Sequence, residues 1–149
     1  MLTPFELAIR DLAQGRDEEA LRRLDALNAE TARPASERAA IANKRGVALI
    51  HLKRSSEARA AFEDALKVLP AYAPALVNLG NLQLESGDLE AAIGTYRAAV
   101  ASDDEYALAH HNLGVALKRQ GHTAEAVREL RRAHRLEGRV LVTSRGRRS

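Results

Sequence analysis

Apolar residues recur along this chain at three- and four-residue steps, in short blocks separated by polar turns. Between Pro74 and Glu85 they are Leu76, Val77, Leu79, Leu82 and Leu84. Between Leu89 and Val100 they are Leu89, Ala92, Ile93, Tyr96 and Val100. That spacing lays one apolar stripe along a helix, so each block predicts a helix with one buried face. The turn between them is Ser86-Gly87-Asp88, where glycine can take positive φ and aspartate can cap the next helix. Tyr106 to Gln120 and Thr123 to Leu136, joined through Gly121, repeat the arrangement. At the start, Thr3-Pro4-Phe5-Glu6 predicts a capped helix: Thr caps, Pro takes the first helical place and Glu reaches back.

The blocks repeat with a period of 34 residues. Leu79-Gly80 and Leu113-Gly114 are separated by that interval, and Arg45-Gly46 precedes them by the same step. Ala58, Ala92 and Ala126 keep it, as do Phe62, Tyr96 and Leu130, then Ala65, Ala99 and Ala133, and finally Gly87 and Gly121. Ala8, Gly15, Ala20 and Leu24 form a weaker first copy, with about four inserted residues near Thr31 to Ser36, around Pro34. Units are expected at 1–34, 39–72, 73–106 and 107–138, followed by a basic tail at 139–149 that reads as disordered. Gly46, Gly80 and Gly114 are expected where the two helices of a unit approach, with Ala58, Ala92 and Ala126 opposite. Phe62, Tyr96 and Leu130 are expected to fill the gap to the next unit. No unit can bury its apolar faces alone, so the stack is the core.

These residues resemble the tetratricopeptide repeat family over roughly residues 1 to 137. The resemblance implies an all-α solenoid of about four helix-turn-helix units forming a right-handed superhelix. It also implies a concave groove, lined by the first helix of each unit, that takes a peptide or helix of another protein. The closing proline of the family pattern appears only as Pro70, with Ala32, Asp104 and Gly138 elsewhere, and its leading aromatic is replaced by Pro4, Ala42, Leu76 and His110.

Projected onto that groove, Lys44, Asn78 and Asn112 precede the small residue pairs, with Asn43, Asn81 and His111 on the same side and Val47, Val77 and Val115 as an apolar floor. An asparagine offers both donor and acceptor, so a row of them can hold an extended backbone. The row resembles the asparagine ladder of the peptide-binding superhelix in O-linked glycosyltransferases; the alternative is that asparagine there only suits helix packing. The modules that grip acidic tails of heat-shock chaperones are similar at Asn78 alone. Asn43, Val47, Leu108 and Asn112 stand where that clamp needs Lys, Asn, Lys and Arg, which argues against that ligand.

Composition changes the picture in two places. The 149 residues include no Cys, which excludes disulfides and thiolate metal sites. Net charge is +3, but Arg128 to Ser149 holds eight Arg against Glu129 and Glu137, leaving the first 127 residues at −3. Arg128, Arg131, Arg132 and Arg135 fall at helical spacing on the last helix, with Arg139, Arg145, Arg147 and Arg148 beyond. This basic end reads either as the polar cap of a solenoid or as a surface for phosphates of nucleic acid or acidic lipid. No aromatic interleaves it, so base stacking is not suggested. Val140-Leu141-Val142 could fold back as a cap or dock into a second chain as a homodimer.

No His, carboxylate or Gly-rich arrangement matches a metal, acid-base or phosphate site, so neither catalysis nor a cofactor is expected. Adjacent His110 and His111 diverge on a helix; His110 is expected in the packing and His111 in the groove. Glu6 and Asp11 interrupt any secretory signal, and no apolar run spans a membrane. A cytoplasmic adaptor is expected, with a substrate-presenting domain of an enzyme complex as an alternative, in a chain whose Ala and Arg content suits a high-GC bacterial gene.

Overall fold

The computed structural model describes the backbone of residues 1–146 and the side chains of residues 1–139. Among the described residues the regular elements are helices: α1 Pro4–Ala13, α2 Asp17–Asn28, α3 Ala35–His51, α4 Ser55–Val68, α5 Ala73–Glu85, α6 Leu89–Ser102, α7 Ala107–Gln120 and α8 Thr123–Gly146. The chain divides into two compact units, Met1–Asn78 and Leu79–Ser149, with the boundary inside α5.

In the first unit, α1 opens with a complete capping box. Thr3 Oγ1 accepts from Glu6 N at 3.2 Å, and Glu6 Oε2 accepts from Thr3 N at 2.7 Å. At the other end of α1, Asp11 is buried, and its carboxylate accepts from Arg16 and, at 2.8 Å, from Arg23 Nε of α2. A short connection follows α2, and Pro34 stands at the N-cap of α3, so the inserted residues form the expected loop. The α3–α4 pair closes over Gly46: a Cβ there would lie 2.3 Å from Phe62 Cε1. Ala42, Ala65 and Ala75 form a buried cluster, with Leu66 and Tyr72 packed against it. The turn between α3 and α4 is made by Lys53 at φ 63°, where the 34-residue period puts Gly87 and Gly121 in the later turns.

The second unit follows the same plan. Gly87 and Gly121 take φ 85° and 89° in their turns, and Asp88 caps α6 by accepting from Ala91 N at 3.1 Å. A Cβ on Gly80 would lie 2.5 Å from Tyr96 Cε1, and one on Gly114 2.7 Å from Leu130 Cγ. Phe62, Tyr96 and Leu130 therefore cover the glycine of their own helix pair. The large residue sits one turn beyond the alanine of α4, α6 or α8, and the missing side chain leaves a notch that only a ring or branched chain fills.

The last helix departs from the expectation. α8 was expected to end at Leu136, with a disordered tail from Arg139; its helical backbone continues to Gly146. Residues 137–146 hold no proline, and arginines near a helix C-terminus suit the negative end of its dipole. The side chains of Val140, Leu141, Val142 and Arg145, and all of Arg147 and Arg148, lie outside what is described.

Candidate functional site

The expected groove residues fall into two groups, one in each unit. In the first unit, α3 carries Asn43, Lys44 and Val47, and the start of α5 carries Val77 and Asn78. Asn43 is 3% exposed and Val77 1%, so these two lie beneath the surface. Lys44, Val47 and Asn78 are partly exposed. Asn78 Nδ2 donates to Asn43 Oδ1 at 2.9 Å. The buried amide thus fixes the orientation of the more accessible one, a role the sequence did not separate from direct contact.

In the second unit, Asn81 of α5 and Asn112 of α7 are partly exposed, as is Val115, while His111 is exposed. Asn112 Nδ2 donates to Asn81 Oδ1 at 3.0 Å. The same oxygen accepts from Tyr96 Oη at 2.5 Å. Burial pushes the Tyr96 phenol up to about 12, so its hydroxyl keeps the proton it donates. Both pairs run the same way: the Nδ2 of the asparagine before Leu-Gly donates to an amide on the preceding first helix of a pair. Each amide has more than one donor and acceptor position. Asn78 Oδ1, Asn112 Oδ1 and Asn81 Nδ2 keep theirs without a protein partner among the described residues.

His110 is buried as expected, but it does more than pack. Its Nδ1 lies 2.6 Å from Glu129 Oε2 of α8, and its Nε2 lies 2.8 Å from the Asp104 carbonyl oxygen. The ring ties α7 to α8 and to the loop before α7. Sequence spacing could not have shown this, because Glu129 is 19 residues away. His51 has Nδ1 2.7 Å from Asp17 Oδ1. The first unit also holds a pocket of about 480 Å³ lined by Pro4, Phe5, Leu27, Ile41 and Arg33, among others. None of the amide row reaches it, and Arg33 there is already paired with Glu30 and Glu37.

The basic patch also separates into parts. Arg132 Nη2 approaches Asp104 Oδ2 at 3.5 Å and is half-buried. Arg128, Arg131, Arg135 and Arg139 are exposed. Among the described residues, no helix is long and apolar enough to cross a membrane.

Helix pairs crossing over glycine, with oriented amides on the first helix of each pair, define a helical-repeat scaffold. The chain belongs to the tetratricopeptide repeat family. Models described as tetratricopeptide repeat match residues 39–72 and 107–139, and one described as TPR repeat matches residues 82–121. The pair α1–α2 lies outside these matches. Among solved structures, a crystal structure of MamA is 20% identical, covers 93% of this chain and 78% of its own, and gives a TM-score of 0.72. A second MamA crystal structure is 21% identical over 91% of this chain and 72% of its own, with a TM-score of 0.69. A MamA RS-1 ArsTM double mutant is 24% identical over 89% and 72%, with a TM-score of 0.68. At that identity the likeness is one of fold. No curated protein matches the chain.

Proposed function

We propose that this protein is a non-catalytic adaptor that holds a peptide segment or helix of another protein against the first helices of its repeats. The observation that carries this reading is the pair of oriented amides. Asn78 is held by Asn43 and Asn112 by Asn81, and both outer asparagines are partly exposed with Oδ1 open to a donor. An asparagine held in one orientation loses less side-chain entropy when it binds a peptide amide. Lys44 and Val47 flank the first pair, and His111 and Val115 flank the second, supplying charge and apolar contact beside the amides. Membership of a family of helical-repeat scaffolds supports the same reading. The partner is bound by backbone recognition with apolar anchors, and an acidic tail clamped by cations is disfavoured because the cations are missing.

The test compares wild type with Asn78→Ala/Asn112→Ala in a pull-down from the native host, with bound proteins identified by mass spectrometry. A partner retained by wild type and lost by the double variant, at unchanged helicity, is the expected result. Identical capture by both forms would remove the amides from the site.

A further inference from the structure

The pocket of the first unit lies between the first turns of α1 and α3, with the end of α2 and the α2–α3 connection closing it. Its volume of about 480 Å³ falls in the range of sites that take small molecules. Pro4, Phe5, Leu27, Ala40 and Ile41 give it apolar walls, and Leu27 and Ile41 are buried. All the lining residues belong to the first unit, and none is a member of the amide row.

Arg33 lines this pocket, and its Nε is the buried side-chain nitrogen or oxygen that lacks a hydrogen-bond partner among the described residues. A buried N–H without an acceptor is costly, so native folds rarely leave one. A water holds well only where it finds two to four polar partners, and the walls here are apolar. The rest of the guanidinium is already engaged. Nη2 donates to Glu30 Oε2 at 2.6 Å, and Nη1 to Glu37 Oε2 at 3.4 Å. These bonds hold the group in place and match its charge. Glu6, whose Oε2 accepts from Thr3 N, brings a third carboxylate to the same pocket. Glu6, Glu30 and Glu37 are all exposed, so they stand at the rim.

We infer that this pocket binds a small uncharged carbonyl compound with a hydrocarbon body, an amide or an ester, whose carbonyl oxygen accepts from Arg33 Nε. The charges select the head group. Three carboxylates around one guanidinium repel a further anion. An ammonium would be drawn to the rim, but it has no lone pair to offer the Nε–H. A neutral carbonyl satisfies that N–H and brings no charge of either sign. The apolar walls take the hydrocarbon, and burying it supplies the non-directional part of the affinity. The site stands apart from the amides, so this inference and the adaptor reading succeed or fail separately.

The test is calorimetric titration of the full chain with three probes of one chain length: octanamide, octanoate and octylammonium. Octanamide is expected to bind, and each of the others to bind at least about tenfold more weakly, the worth of a hydrogen bond to a charged donor. Arg33→Met keeps the apolar stem and removes the N–H, and should weaken octanamide by about tenfold or more. Ala40→Leu fills the pocket from α3 and should abolish binding. In nitrogen-15 NMR of the wild type, octanamide should shift the Arg33 Nε–H resonance. Should a variant fail to fold, the order of the three head groups and that resonance still decide. No binding of octanamide by wild type, octanoate or octylammonium bound as tightly, unchanged affinity in folded Arg33→Met, or an Arg33 resonance that stays in place would each overturn the inference.

Discussion

The ring of Tyr96 occupies the place a side chain on Gly80 would need: a Cβ built there lies 2.5 Å from Tyr96 Cε1. Tyr96 is fully buried and its hydroxyl is tied to Asn81, so it cannot swing away. Gly80→Ala gains about 0.5–1 kcal/mol of helix propensity. It loses about 1–3 kcal/mol to overpacking. The clash wins, and a net loss of about 1–2 kcal/mol is expected in urea unfolding. Gly94 provides the control, because a Cβ there meets nothing within 4 Å. Gly94→Ala, in the middle of α6, should stabilise by about 0.5–1 kcal/mol. Loss at both positions would mean that glycine flexibility, and not the notch, matters.

The notch was partly legible in the sequence. Glycine and a bulky residue 16 positions later recur in step at Gly46 and Phe62, Gly80 and Tyr96, and Gly114 and Leu130. Periodicity gives a position in the repeat but not the direction of a side chain, so the cover that each bulky residue gives to the glycine of its own pair is visible only in the structure. The amide row was legible as positions. That Asn43 is buried and Asn78 accessible was not, because both are polar and lie on first helices. The bond between His110 and Glu129 left no local signal.

Lys53 is expected to be a site where substitution strengthens the protein. It is the non-glycine residue with positive φ among the described residues, at 63°, in the turn where Gly87 and Gly121 serve the later pairs. A left-handed conformation costs an ordinary residue about 1–2 kcal/mol, and glycine costs about 0.5–1 kcal/mol in added unfolded-state entropy. Lys53→Gly should therefore raise stability by about 0.5–1 kcal/mol. A lower melting temperature for this variant would show that the lysine side chain makes a contribution that outweighs its backbone strain.

The stability of the first unit should depend on acid through Asp11. The hydrogen bond from Arg16, then that from Arg23, holds the Asp11 carboxyl below its ordinary value of 3.8. A carboxyl with a native pKa below its unfolded one stabilises the fold when ionised in both states. That contribution is complete above the unfolded value and disappears as pH falls through the lowered native value. Asp11→Asn keeps the shape but not the charge. It should lower the melting temperature at pH 7 and narrow its gap from wild type as pH drops below about 4. Parallel pH profiles for the two proteins would show that the clamp does not titrate as described.

Asn43 offers the sharpest separation between touching a partner and positioning a residue that does. It is 3% exposed, so no ligand reaches it, yet its Oδ1 takes the Asn78 proton at 2.9 Å. Asn43→Ala removes that acceptor. Asn78 is partly exposed and can turn its freed N–H to water, so the stability loss should stay near a single net hydrogen bond, about 0.5–1.5 kcal/mol. If Asn78 contacts the partner through the orientation Asn43 imposes, affinity should fall too, by roughly three- to tenfold, the equivalent of about 0.6–1.4 kcal/mol. Asn78→Ala removes the contact itself and should fall further. A double variant at 43 and 78 should bind no worse than Asn78→Ala alone, because the two residues act through one amide. Additive losses in that cycle, measured by calorimetry on the captured partner, would mean that Asn43 acts by another route.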